Sequence, residues 1–205
     1  MFLSIHPQNP EIRKIEQVVN CLKKNGVIIY PTDSVYAIAC DLRNPKAIEK
    51  LCNIRKIDAR DALFSLACMD MSQASFFLSP ISNAVFRAIK KNTPGPFTFI
   101  LPASAAIPKL FEKKRKTIGI RFPDNPIALA ILNKLDSPLL TTSLHSETDE
   151  FQEYYVDPED IKKDFQYKVD LIIDGGLGGN TPSTLVDCSE EEINIIRHGG
   201  GIWKD

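Results

Sequence analysis

The chain has 205 residues, of which 43% are hydrophobic and 25% charged, with a formal net charge of −1. That length suits a single domain spanning residues 1–205, and the apolar content excludes a disordered chain. The balanced charge excludes a whole-protein basic field for nucleic acid, so any anion site must be local.

Asn9-Pro10 predicts the start of the first helix, with Asn as cap and Pro at the first position. Ile12, Ile15, Val18, Val19 and Leu22 recur at helical spacing as its apolar stripe, and Gly26 is expected to end it. Two apolar runs, 27–30 and 35–40, then flank Pro31-Thr32-Asp33-Ser34. That pattern reads as buried strand, tight polar turn, buried strand, because Pro31 has no N–H for a ladder. Asn44-Pro45 repeats the helix start, with Ala47, Ile48, Leu51 and Cys52 facing inward. Further strands are expected at 63–68, 97–101, 117–122, 139–143, 171–174, 184–187 and 193–197, and helices at 82–91, 126–135 and 158–163. Interleaved strands and helices predict an α/β fold, a twisted mixed open sheet covered by helices. The polar, acidic segment 145–152 is the candidate mobile loop.

The five cysteines, Cys21, Cys40, Cys52, Cys68 and Cys188, form no CxxC pair and sit in apolar surroundings. Reduced, buried thiols in a cytoplasmic protein are expected. His6, His145 and His198 are not spaced as zinc ligands around any cysteine pair, so no metal site is expected. Neither a secretory leader nor a membrane span is expected from the hydropathy pattern.

Four constellations could carry chemistry. Thr93-Pro94-Gly95-Pro96 forces a turn before an apolar strand, and a purely structural role fits it best. In Thr117-Ile118-Gly119-Ile120-Arg121, alternation puts Thr117, Gly119 and Arg121 on one face. A mid-strand Arg on a face of small residues is costly unless it meets an anion. Two readings are open: Arg121 forks onto a ligand carboxylate, or it pairs with Asp33 or Asp124. Leu139-Leu140-Thr141-Thr142-Ser143 ends in hydroxyls that can hold a phosphate or an amino acid without adding charge, or simply cap a strand. No G-x-S-x-G elbow surrounds Ser143, which excludes a serine-hydrolase nucleophile there. In the tail, Ser183-Thr184-Leu185-Val186-Asp187 precedes Arg197 and Gly199-Gly200-Gly201, a grouping suited to close backbone approach to an anion. Gly175-Gly176-Leu177-Gly178-Gly179 follows a strand but opens no helix, so it is neither a P-loop nor a dinucleotide turn.

Taken together, YPTDSVY, PGPFTFIL, TIGIRFP, LLTTS and PSTLVD resemble, in order and spacing, the YrdC-like family of threonylcarbamoyl-adenylate synthases. The Asn9-Pro10 start and VDLIIDGG bring the chain nearest the YciO-like branch. The resemblance implies a YrdC-like fold. It also implies an enzyme that joins ATP, L-threonine and bicarbonate into L-threonylcarbamoyladenylate, for N6-threonylcarbamoyladenosine formation on tRNA. Carried over by position, Thr32, Arg121, Thr141 and Ser183 would bind threonine, with Arg121 on its carboxylate. Arg55, Thr117, Ser143 and Arg197 would face ATP, with Mg²⁺ arriving on the nucleotide. No catalytic acid or base is assigned. Two positions depart from the family pattern. Its Lys-x-Arg falls on Arg55-Lys56-Ile57, losing the second cation, and its Ser-x-Asn falls on Ser143-Leu144-His145. The alternative is a tRNA- or double-stranded-RNA-binding protein of the same fold, using Lys109, Lys113, Lys114, Arg115 and Lys116.

Overall fold

A computed structural model describes residues 1–58, 63–107, 116–145, 154–190 and 192–204. The elements run β1 (Phe2–Ser4), α1 (Ile12–Lys23), β2 (Val27–Tyr30), β3 (Ala37–Asp41), α2 (Pro45–Arg55), β4 (Ser65–Ala67), α3 (Met71–Ser75), α4 (Asn83–Asn92), β5 (Phe97–Pro102) and β6 (Thr117–Arg121). They continue with α5 (Pro126–Leu135), β7 (Leu139–Ser143), α6 (Pro158–Phe165), β8 (Leu171–Asp174), β9 (Thr184–Asp187) and β10 (Asn194–Arg197). All ten strands join one mixed sheet in the order β1-β8-β2-β3-β7-β4-β6-β5-β9-β10. The expected mixed α/β sheet with covering helices is therefore the observed fold.

Alternation along the strands sorts the core into two layers. Val27, Ile29, Ile38, Cys40, Leu66, Phe99 and Ile120 pack with residues of α2, α4 and α6. Ile28, Tyr30, Ala37, Ala39, Leu139, Leu171 and Ile173 pack on the other face against α1 and α5. Each large aliphatic side chain buried this way contributes about 1.5–3 kcal/mol. α1 and α5 pack side by side on that second face. Followed across the ladder, the row Ile28–Ala39–Thr141–Ser65–Gly119–Ile100 changes from apolar to small and polar after β3. The polar half of that face becomes the site.

Several boundaries differ from expectation. α1 begins at Ile12 behind an N-cap Glu11, not at Asn9-Pro10. Glu11 instead binds the His6 N–H and pairs with Lys14, which draws the chain into a turn. Ile12 is consequently 74% exposed and leaves the apolar stripe, while Ile15, Val18, Val19 and Leu22 are buried. Asn25, with φ 66°, takes the left-handed turn assigned to Gly26. Gly26 is required for space, since a Cβ there would lie 2.8 Å from the Cys21 carbonyl carbon. β1 and α3 are too short to carry a periodic signal and were not expected.

Cys40, Cys52, Cys68 and Cys188 are buried and Cys21 half-buried, with none in a disulfide. Burial pushes the thiols of Cys21, Cys40 and Cys68 up and that of Cys188 up to about 12. Among the described residues no helix is long and apolar enough to cross a membrane.

Candidate functional site

Thr117, Gly119 and Arg121 of β6 face the polar half of the sheet together with Thr141 and Ser143 of β7, as alternation requires. With Ser183 and Arg197 from the tail they line one concavity of about 390 Å³. Ser65, Thr98, His145 and Tyr154 complete much of the wall. Gly119 forms part of the floor, and a side chain there would run into Ser65 Oγ.

Arg121 is 5% exposed although it is a charged residue, and its partners explain how. Its Nη2 donates to Asp33 Oδ1 at 2.9 Å and to Ser34 Oγ at 2.8 Å. Asp33 Oδ2 accepts the Asp124 N–H at 3.0 Å, so the turn after β2 clamps the end of β6. Of the two open readings for Arg121, the carboxylate pair is present, with Asp33, and Asp124 contributes only its backbone. The guanidinium also borders the concavity, so it stands at its edge with one nitrogen committed to the turn.

Thr32 does not line the concavity. Its Oγ1 donates to the Val35 carbonyl at 2.7 Å, accepts the Ser34 N–H at 3.1 Å and lies 3.1 Å from Ser34 Oγ. Thr32 therefore shapes the turn that presents Ser34 to Arg121. The glycine-rich segment is bound to the same turn. Tyr36 Oη donates to the Gly176 carbonyl at 2.7 Å and accepts the Gly175 N–H at 3.2 Å. Side chains at Gly178 and Gly179 would strike the Tyr36 ring and the Ser34 carbonyl. Burial raises the Tyr36 hydroxyl to about 12 and also raises that of Tyr30, so both remain protonated donors. Tyr30 Oη donates to Thr141 Oγ1 at 3.2 Å from beneath the site.

The tail is held by Thr184, which is fully buried. Its Oγ1 accepts the N–H groups of Gly199 and Gly201 and donates to the Gly201 carbonyl. Arg197 donates to the Ser183 carbonyl at 3.0 Å, and Ser183 Oγ meets Thr98 Oγ1 at 2.7 Å. A register shift between Ile195 and Arg197 sets Arg197 opposite Leu185, a residue of the concavity. Unbroken alternation would have placed it with Ile195, which packs toward the opposite core.

Arg55 is buried at the end of α2 and does not itself line the concavity. Its Nη2 lies 2.7 Å from His145 Nε2. A guanidinium can only donate, so Nε2 is the acceptor and the ring proton sits on Nδ1. Lys56 is a left-handed cap beyond the helix, and Ile57 is 36% exposed. Sequence reasoning did not single out Ser65, Thr98 or Tyr154, although Thr98 stands between Phe97 and Phe99 as the polar member of an alternating strand. Lys109, Lys113, Lys114 and Arg115 lie outside the described residues, as does nearly all of the expected loop 145–152. Among the described residues no group of three or more His, Cys, Asp or Glu could hold a metal ion.

A family model described as Telomere recombination, covering Sua5, YciO and YrdC, matches residues 20–199. The chain belongs to the Sua5/YciO/YrdC family. It is 45% identical over 202 residues to the uncharacterized protein YciO of Escherichia coli strain K12, covering 98% of this chain and 96% of that one. The crystal structure of E. coli YciO superposes with a TM-score of 0.88 at 44% identity, over 98% of this chain and 97% of that one. A family member from Coxiella burnetii strain RSA 493, named threonylcarbamoyl-AMP synthase, is 30% identical over 182 residues, 88% of this chain and 96% of its own. P. abyssi Sua5, crystallised with L-threonine, shares the fold at 22% identity and a TM-score of 0.87, over 98% of this chain and 58% of that one.

Proposed function

We propose that this protein is a threonylcarbamoyl-AMP synthase-type enzyme that condenses L-threonine, bicarbonate and ATP and releases pyrophosphate. The observation that carries this reading is the single concavity joining two arginines, Arg121 and Arg197, with the hydroxyls of Thr117, Thr141, Ser143 and Ser183. Support also comes from the family member named threonylcarbamoyl-AMP synthase and from the Sua5 structure that holds L-threonine.

The chemistry brings two anions together. The threonine amine condenses with bicarbonate, the new N–C bond forming as a C–O bond breaks and water leaves. An oxygen of the resulting carbamate then attacks the α-phosphorus of ATP while pyrophosphate leaves. Fixed cations and donors lower that repulsion without reorganising. In this reading Arg121, with Nη2 held by Asp33 and Ser34, donates to the threonine carboxylate from its remaining nitrogens, and Thr32 acts through the turn. Thr141 and Ser183 hold the amino acid. Thr117, Ser143 and Arg197 face the nucleotide, and Arg55 acts from behind by holding His145, which lines the concavity. The described residues do not fit a resident metal, so Mg²⁺ is assigned only to the incoming ATP and no step depends on it. The buried thiols suit a reducing cytoplasm, and the adenylate would pass to tRNA.

The test is calorimetry with L-threonine and with ATP–Mg²⁺, separately and together, followed by pyrophosphate release with bicarbonate. Saturable binding of both, and pyrophosphate that requires all three substrates, are expected. Folded protein that binds neither substrate, or that binds double-stranded RNA but forms no pyrophosphate, overturns the reading.

A further inference from the structure

The sheet has two edges, and they are treated differently. At β1, Lys14 Nζ caps the Ser4 carbonyl and Lys162 covers the Phe2 ring. Charged side chains of this kind discourage strand addition. At β10 the described backbone hydrogen bonds run only to β9, which leaves the outer row of N–H and C=O groups open. Two of its four residues, Ile195 and Ile196, are apolar, and Ile196 is 56% exposed.

Beside this edge runs a groove of about 570 Å³ between α4 and the C-terminal tail. Ile193, Ile195 and Trp203 give it an apolar lining. Arg87 and Lys91, one helical turn apart on α4, and Lys204 across from them supply the charge. No carboxylate lines it among the described residues. The tail wall is built rather than incidental. The buried Asn92 side chain accepts the Lys204 N–H at 2.8 Å and donates to the Lys204 carbonyl at 3.1 Å. Trp203 rests edge-on against Phe97, with ring centroids 6.2 Å apart.

We propose that β10 and this groove form a docking surface for an extended acidic segment of a partner protein, added to the sheet as a further short strand. The open edge supplies main-chain hydrogen bonds, which give affinity to any extended peptide. One alternate set of side chains enters the groove, where the apolar lining takes their stems and the three cations select their carboxylates. The register shift bends β10 after Ile195, so pairing runs along residues 193–195. Arg197, at the far end of β10, belongs to the proposed synthase site, but the groove and residues 193–195 do not, so either proposal can fail alone.

The probe is an acetylated, amidated octapeptide of alternating Glu and Val, titrated into the full chain. Trp203 is the chain's single tryptophan, so its fluorescence reports on the groove directly. A saturable change is expected with this peptide and none with the Lys–Val counterpart. Arg87→Glu/Lys91→Glu should weaken binding by about tenfold or more. Both residues are exposed, and Arg87→Gln/Lys91→Gln serves if the reversed pair unfolds by circular dichroism. N-methylation of one alternating set of peptide nitrogens, but not the other, should abolish binding, because only one set faces β10. Absence of a saturable change, equal affinity in both charge variants, or indifference to both methylated sets overturns the proposal. Tighter quenching by an eight-nucleotide RNA than by the peptide also overturns it and makes the groove a nucleic-acid surface.

Discussion

Replacing Arg121 with alanine leaves the Asp33 carboxylate buried, with the Asp124 N–H as its remaining hydrogen-bond donor. Both side chains of this pair are 6% exposed, so the intact pair is shielded from solvent. Breaking a buried pair by removing one partner costs about 3–5 kcal/mol. A domain is held by roughly 5–15 kcal/mol, so Arg121→Ala should be visibly less stable in urea unfolding and still largely folded in buffer. Adding Asp33→Ala removes the stranded charge, and the double variant should recover part of the loss, with a coupling of about 0.5–3 kcal/mol. That folded double variant is the right protein for L-threonine calorimetry. If Arg121 binds the substrate carboxylate, a charge-assisted bond worth about 1.5–3 kcal/mol is absent. Threonine affinity then falls roughly 10- to 150-fold whatever happens at Asp33. Arg121→Lys should not restore it fully, because a single ammonium cannot hold Asp33 and Ser34 and reach the substrate as the rigid, several-armed guanidinium does. A single-variant loss below about 1 kcal/mol would refute the buried-pair reasoning. Unchanged threonine affinity in the double variant would confine Arg121 to holding the turn.

Thr184→Val keeps the shape but strands the Gly199 and Gly201 N–H groups, so about 1–3 kcal/mol of stability should go. Faster amide exchange at both glycines should accompany a loss of pyrophosphate release, since Arg197 belongs to the same tail. Alkaline pH should destabilise the protein. Burial holds Cys188 and Tyr36 protonated up to about 12 and raises Cys40, Cys68 and Tyr30, while unfolded thiols ionise from 9.0. Above pH 9.0 the folded state therefore binds more protons, and stability falls as pH rises. A urea midpoint unchanged between about pH 8 and 10.5 would contradict this. Ile57→Arg restores the cation missing from the family spacing at a 36% exposed position, so it should raise pyrophosphate release that depends on threonine and bicarbonate. A folded Ile57→Arg variant with no gain would show that the spacing is not limiting.

Residue patterns local to one element were legible in the sequence. Period-two alternation put Thr117, Gly119 and Arg121 on one face of β6, and the same rule separates Thr98 from Phe97 and Phe99. The helices expected at 126–135 and 158–163 are α5 and α6, and there the side chains of Asn125 and Asp157 each cap a backbone N–H. The start of α1 was misplaced because Asn9-Pro10 and Glu11 offer competing starts, and Glu11 has partners in His6 and Lys14.

What crosses the chain was decided only by tertiary structure. Asp33 and Asp124 were both open as partners of Arg121, and the order of strands brings Asp33 to it across 88 positions. The family resemblance assigned Thr32 to threonine, yet its hydroxyl is engaged by its own turn. Arg197 reaches the concavity through a register shift that no alternation rule contains. Sequence determined which side chains share a strand face, because that depends on two dihedral angles per residue. Packing determined which faces meet and which polar atoms are already occupied, because that depends on the neighbours the sheet order supplies.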